Sequence, residues 1–138
     1  MTDMTIDERK ALIIEHFRYM GIGEYQKAIE KFSDDMVWWV LGTQEHGGTH
    51  TRADLAATYS DDLPKYLPNG IQIEIGRMIG EGDWVTVQGH GLGNTSGSGD
   101  HYANHYCWMF AIKAGLVTEF REYLDTYHAR QAFYGEDV

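Results

Sequence analysis

A single cysteine, Cys107, stands in the 138 residues, so no intrachain disulfide can form and a hydrophobic core must carry the fold. Set among tyrosines and tryptophans, its thiol reads as a small buried hydrophobe, not a nucleophile. Basic residues are scarce: 11 Lys plus Arg against 21 Asp plus Glu give a formal charge of −10 with His neutral. Such a surface repels phosphate backbones and anionic lipid heads, which argues against nucleic acid and membranes as partners. No apolar run approaches the roughly 20 residues of a membrane span. Residues Met1 to Lys10 are polar and acidic, without the basic-then-apolar layout of a signal peptide, so a cytoplasmic location is expected. No repeat, linker or low-complexity segment divides the chain, which reads as one domain over 1–138.

Hydrophobic residues make up 43 % and aromatics 13 %, enough to fill one core without staples. Asp7 is placed to cap a first helix, in which Leu12, Ile13, His16, Phe17 and Met20 recur at helical spacing until Gly21 and Gly23 end it. A second helix is predicted over about 24–32 and a strand over 36–41. The stretch 42–50 is rich in glycine and polar residues and reads as loop. Thr51 and Asp54 form a capping box for a third helix with Leu55, Ala56 and Tyr59 inward, which Pro64 and Pro68, the only prolines, break up.

After Asn69-Gly70 the period changes to two. Strands are predicted over 71–75, 84–92, 102–113 and 116–124, with a flexible hairpin loop over 93–100 and a turn at Ala114-Gly115. Asp125 or Thr126 caps a terminal helix. Three helices, an antiparallel meander and a short closing helix imply an α+β layer design.

Strand alternation then assigns faces. Leu116, Thr118, Phe120, Glu122 and Leu124 share one face of the last strand, apolar except for Glu122. A carboxylate on a core face must be paired, protonated or turned into a cavity, because burying an unpaired charge is costly. Tyr102, Asn104, Tyr106, Trp108 and Phe110 share an aromatic face on the preceding strand, which would bring Asn104 near Glu122. Trp84, Thr86, Gln88, His90 and Leu92 share another, with Gln88 and His90 roughly 7 Å apart. His16 lies on the apolar stripe of the first helix. If these groups meet in one cavity, the set suits proton transfer: a glutamate lifted toward neutrality, imidazoles, amides, a phenol and indoles. The bland alternatives are a buried Glu122 paired to Tyr106 or His90, a satisfied core His16, and Asp125 as an N-cap.

Other motifs carry little. His101 and His105 would stand roughly 13 Å apart on a strand, too far to share an ion. His46 and His50 lack ligand-like spacing, so no metal site is expected. The glycines over 89–99 lead from strand to strand and not into a helix, which excludes a dinucleotide fingerprint, and no serine sits in a nucleophile-elbow context.

Tyr102-x-Asn104-x-Tyr106, the Ala114-Gly115 turn and Arg121-Glu122-Tyr123-Leu124-Asp125-Thr126, set in this element order, resemble the SnoaL-like group of the nuclear-transport-factor-2-like superfamily over nearly the whole chain. The resemblance implies a cone: a curved mixed sheet wrapping three N-terminal helices, with a pocket at the open end and usually a homodimer through the sheet. Its relatives include polyketide cyclases, ketosteroid isomerase, limonene epoxide hydrolase and scytalone dehydratase. In them the position matching Glu122 holds the catalytic aspartate of the epoxide hydrolase and of the cyclases. The chain departs elsewhere. The hydrolase's arginine and second aspartate fall on Gln88 and His90, its water-holding tyrosine and asparagine on Trp38 and Val40, and the isomerase's base also on Val40, with its oxyanion tyrosine near His16.

The combined expectation is a cofactor-free acid–base enzyme, an isomerase or cyclase acting on an apolar or polycyclic metabolite. Glu122 would shuttle the proton and His90 assist. Gln88 and Asn104 would orient the ligand, while His16, Trp38, Tyr106, Trp108 and Phe120 shape the pocket. A non-catalytic binder with the same pocket, a hydrolase- or dehydratase-like activity, and a scaffold dimer with a filled core are the competing readings.

Overall fold

The computed structural model describes residues 3–43, 46–94 and 101–134. Its element order is α1 (Ile6–Gly21), α2 (Tyr25–Ala28), β1 (Phe32–Val40), β2 (Gly48–Thr51), α3 (Arg52–Ala57), a π-helical turn (Thr58–Asp62), α4 (Leu63–Tyr66), β3 (Gln72–Glu81), β4 (Trp84–Asn94), β5 (His101–Lys113), β6 (Leu116–Leu124) and α5 (Thr126–Tyr134). The six strands form one open sheet in the order β2-β1-β6-β5-β4-β3. Every neighbouring pair is antiparallel except β1 with β6, which is parallel and makes the sheet mixed. The expected α+β cone is therefore the fold, with α1 laid along the inner face of the sheet. No helix among the described residues is long and apolar enough to cross a membrane.

Local chemistry explains most boundaries. Thr5, not Asp7, caps α1: its side chain accepts from Glu8 N while Glu8 reaches back to Thr5 N, a reciprocal capping box. Thr51 and Asp54 make the second such box at the head of α3, as the sequence implies. Asp125 Oδ1 accepts from His128 N at 3.1 Å and caps α5. The expected second helix is shorter than its apolar spacing suggests, because Ile29 already leaves it and Phe32 opens β1. The presumed loop before Thr51 contains β2, a four-residue edge strand in which His50 pairs with Trp38. Pro64 does not end the third helix; it sits in the first turn of α4, where its missing N–H costs nothing. The tip of the β4–β5 hairpin expected as flexible, 95–100, lies outside the described residues.

The inner face of the sheet is built from alternate residues, and here one expectation is reversed. Val85 and Val87 are fully buried while Gln88 is exposed, so β4 turns Gln88 and His90 to the outer face. The inward positions that follow are Gly89 and Gly91. A Cβ on Gly89 would stand 3.0 Å from the Trp108 ring, and one on Gly91 would stand 2.8 Å from Tyr106 Cε1. These glycines leave β4 bare so that the β5 aromatics can lie across it. Cys107, opposite Gln88, shares the outer face and is half-buried, not a core residue. A register shift between Ala111 and Ile112 turns Val117 inward and leaves Leu116 exposed, so the alternation read from Leu116 holds only from Phe120 onward.

Arg9 closes the narrow end of the cone. It is 2 % exposed, donates from Nε to Ile112 O at 2.8 Å and pairs with Asp83 at 3.0 Å. Both charge and hydrogen-bonding demand are met, the condition under which a buried guanidinium is tolerated. The opposite end is open.

Candidate active site

At the open end lies a cavity of about 190 Å³ between the inner face of the sheet, α1, the π-helical turn, α4 and α5. A cavity of about 150 Å³ holds benzene. The enclosed space therefore takes one ring or a compact pair, and a larger ligand would extend through the mouth. The walls are mostly apolar and aromatic.

Glu122 reaches this cavity from β6, where it is paired with Trp108 of β5 on one side and Val40 of β1 on the other. Burial lifts its carboxyl to about 7, and the indole N–H groups of Trp38 and Trp108, turned toward it, restrain the rise. Trp38 Nε1 stops short of hydrogen-bonding geometry and has no other partner among the described residues, although the residue is 5 % exposed. The site thus holds one carboxyl near half-protonation at neutral pH and a buried donor beside it. Desolvation raises the carboxyl's pKa, and no neighbouring negative charge is needed to account for the rise.

His16 also lines the cavity, from α1. Its Nδ1 is 2.7 Å from Ala28 O; a carbonyl only accepts, so Nδ1 carries the proton and Nε2 is left as an acceptor. Burial among Phe17, Phe32, Phe110 and Phe120 pushes its pKa down to about 4, so the ring is neutral at pH 7. Tyr106 stacks on Trp108 with centroids 4.5 Å apart and 9° between planes, forming a flat wall, and Phe17 packs against the same indole at 4.6 Å, tilted by 49°. Trp38 and Phe120 complete the lining expected from the sequence.

Three expected site residues are elsewhere. Gln88 and His90 are on the outer face, where His90 stacks on His105 at 4.5 Å. Neither can touch a ligand in the cavity, and His90 cannot assist Glu122. Asn104 does face inward and is 1 % exposed, but it does not line the cavity. Its Nδ2 donates to Tyr102 Oη at 2.9 Å and to Asp125 O at 3.0 Å, and its Oδ1 accepts from Asp125 N at 3.3 Å. Asn104 therefore fastens the β6–α5 corner. Behind it, the Tyr102 and Tyr106 hydroxyls share a short hydrogen bond.

Residues the sequence did not single out for the pocket complete the wall. Tyr59 comes from the π-helical turn, and Tyr66 and Phe133 pack together at 5.7 Å where α4 meets α5. A polar hollow adjoins the mouth, lined by His46, His50, Asp54, Asp61 and Asp62; Trp38, His46, Thr58 and Asp62 face both it and the cavity. Among the described residues no three His, Cys, Asp or Glu side chains are grouped to hold a metal ion. The side chain of His101 lies outside the described residues.

The family described as the SnoaL-like domain matches residues 13–120. No curated protein matches the chain significantly. Among solved structures, the chain is similar to AclR from Streptomyces galilaeus, assigned as a hydroxylase, at 20 % identity and a TM-score of 0.79, covering 97 % of this chain and 86 % of that one. It is similar to TerC, co-crystallized with polyporic acid, at 18 % identity and a TM-score of 0.74, covering 91 % and 97 %. It is also similar to a protein of Jannaschia sp. CCS1 assigned as a SnoaL-like polyketide cyclase, at 18 % identity and a TM-score of 0.68, covering 92 % and 94 %. At such identities the likeness establishes the fold.

Proposed function

The chain belongs to the SnoaL-like domain family, and on that premise we propose that it is a cofactor-independent acid–base enzyme that moves a proton on a compact apolar metabolite, with Glu122 as the shuttle. The observation that carries this reading is the Glu122 carboxyl, raised to about 7 inside an apolar cavity. A group with that pKa is available both as base and as acid at neutral pH, the condition in which general catalysis is most effective, worth about 10²–10⁴ in rate. Neutral His16, with Nε2 free to accept, offers no second acid, so one carboxyl that takes a proton and returns it suits isomerisation or aldol-type cyclisation better than hydrolysis. The carboxylate removes a proton from carbon α to a carbonyl, the C–H pair becomes the C=C bond of an enolate as the carbonyl π pair moves to oxygen, and the protonated Glu122 returns its proton to carbon, which restores the carbonyl.

The test is α-proton exchange of 2-tetralone in D2O, followed by proton NMR. The wild-type protein should accelerate exchange at pH 7 and Glu122→Gln should reduce it to the buffer rate; equal rates in the two proteins would refute the reading. A non-catalytic binder is the second reading, favoured by the continuous aromatic wall of Tyr106 and Trp108 and by the similarity to TerC, which was co-crystallized with polyporic acid. It requires 2-tetralone to bind without exchange. We further propose a homodimer through the outer face of the sheet. There Arg121 lies 4.2 Å over the Trp39 ring beside Tyr123, and light scattering would read the dimer as twice the chain mass.

A further inference from the structure

Five tyrosines are buried or line the cavity: Tyr25, Tyr59, Tyr66, Tyr102 and Tyr106. Tyr25 donates to Leu67 O at 2.5 Å, and Tyr102 and Tyr106 bond to each other. Tyr59 is 4 % exposed, lines the cavity and makes no hydrogen bond to any described residue. Its ring is held edge-on by Tyr25 at 6.3 Å. It projects from the π-helical turn, which interrupts what is otherwise continuous helix from Arg52 to Tyr66. A single π turn rotates the side chains that follow and recurs at ligand sites. Unlike Trp38 Nε1, the Tyr59 hydroxyl is not shut away, so it opens onto the cavity, where a ligand oxygen can take the place of water. Its surroundings on the same wall are Glu122 and Tyr106, and both the Tyr59 and Tyr106 phenols feel the Glu122 charge.

We propose that Tyr59 binds the ligand's oxygen: its phenol donates a hydrogen bond to a carbonyl or hydroxyl oxygen of a ring ligand whose neighbouring carbon lies against Glu122. The assignment rests on reading the cavity as a ligand site, and it specifies that ligand as an oxygenated ring compound, not a plain hydrocarbon. In the proton transfer, charge that leaves carbon collects on that oxygen, so the Tyr59 hydrogen bond strengthens as Glu122 takes the proton. Tyr59 then contributes to orientation in the resting complex and to stabilisation of the enolate.

The experiment is equilibrium dialysis at pH 6 with two probes, 2-naphthol and naphthalene, against wild type and Tyr59→Phe. Phenylalanine keeps the ring and removes only the hydroxyl. The expected result is a five- to tenfold weaker affinity for 2-naphthol in Tyr59→Phe with less than a twofold change for naphthalene, the size of one neutral hydrogen bond. Equal weakening of both probes would make Tyr59 wall packing alone, and no weakening of either would leave its hydroxyl without a ligand role; each overturns the inference and leaves the cavity reading standing. Failure of wild type to bind either probe would overturn both. Should Tyr59→Phe fold poorly, Tyr59→Met reads the same ratio of the two affinities, which a general loss of wall contact does not change.

Discussion

Glu122 and Trp108 stand directly across from one another in the β5–β6 register, so the carboxyl and the indole share one rung of the sheet's inner face. A rung of this kind excludes water from one side of the carboxyl while offering it a single N–H. Its proton affinity is therefore set mainly by dehydration and only partly relieved by the donor.

That balance has a consequence for stability. The Glu122 pKa is raised from 4.5 unfolded to about 7 folded, so between these values the native state binds the extra proton. Its contribution is complete below pH 4.5, declines as pH rises and is gone above about 7, amounting to at most about 3 kcal/mol. Glu122→Gln should therefore be more stable than wild type at pH 8, and the gap should shrink or reverse at pH 5. Urea unfolding at the two values reads it directly.

His16 works in the opposite direction. Its pKa falls from 6.5 to about 4 on folding, so its stabilisation is complete above 6.5 and is lost as pH drops toward 4. In His16→Phe this acid sensitivity should disappear, at the cost of about 1–3 kcal/mol at pH 7 for the Ala28 carbonyl left without its donor. Thermal unfolding of the variant across pH 4–7 tests both parts, and a wild-type-like acid limb would contradict the assignment.

Asn104 and Gln88 should separate cleanly. Asn104→Ala removes three hydrogen bonds at the β6–α5 corner and should cost about 2–4 kcal/mol, with faster amide exchange along α5. Gln88→Ala, on the outer face, should stay within about 0.5 kcal/mol of wild type and leave binding of 2-naphthol unchanged. Hydrogen exchange by mass spectrometry and a dialysis assay distinguish them.

A methyl group at Gly91 should reshape the pocket from behind. The added Cβ would meet Tyr106 Cε1 at 2.8 Å, so Gly91→Ala should push that ring toward the cavity and destabilise the fold by about 1–3 kcal/mol. Affinity for naphthalene should fall by more than affinity for benzene, since the larger ligand needs the displaced space.

How much of this was legible beforehand follows from what each residue contributes to a pattern. On β5 and β6 an aromatic face carrying Glu122 stands out by alternation alone, and the helices-then-meander order places that face inside a cone. On β4 the same reasoning turns over, because Gly89 and Gly91 carry no hydropathic weight. The polar Gln88 and His90 then look like a decorated inner face when they are the ordinary outer one. The β6 bulge is invisible for a related reason: Leu116 and Val117 are equally apolar, and only the register shift opposite them decides which is buried. Tyr59 escapes notice because helical spacing marks it as core, whereas a π turn, which leaves no sequence signature here, puts its hydroxyl on the cavity wall.

The bare stretch of β4 also makes ligand size a tunable property of the strand beside the pocket. Since the β5 rings rest where β4 side chains would otherwise be, a single carbon restored at Gly89 or Gly91 is felt by Trp108 or Tyr106. Paralogous chains could then diverge in the guests they admit by changing residues that never meet the guest, while the carboxyl on β6 keeps its rung and its chemistry.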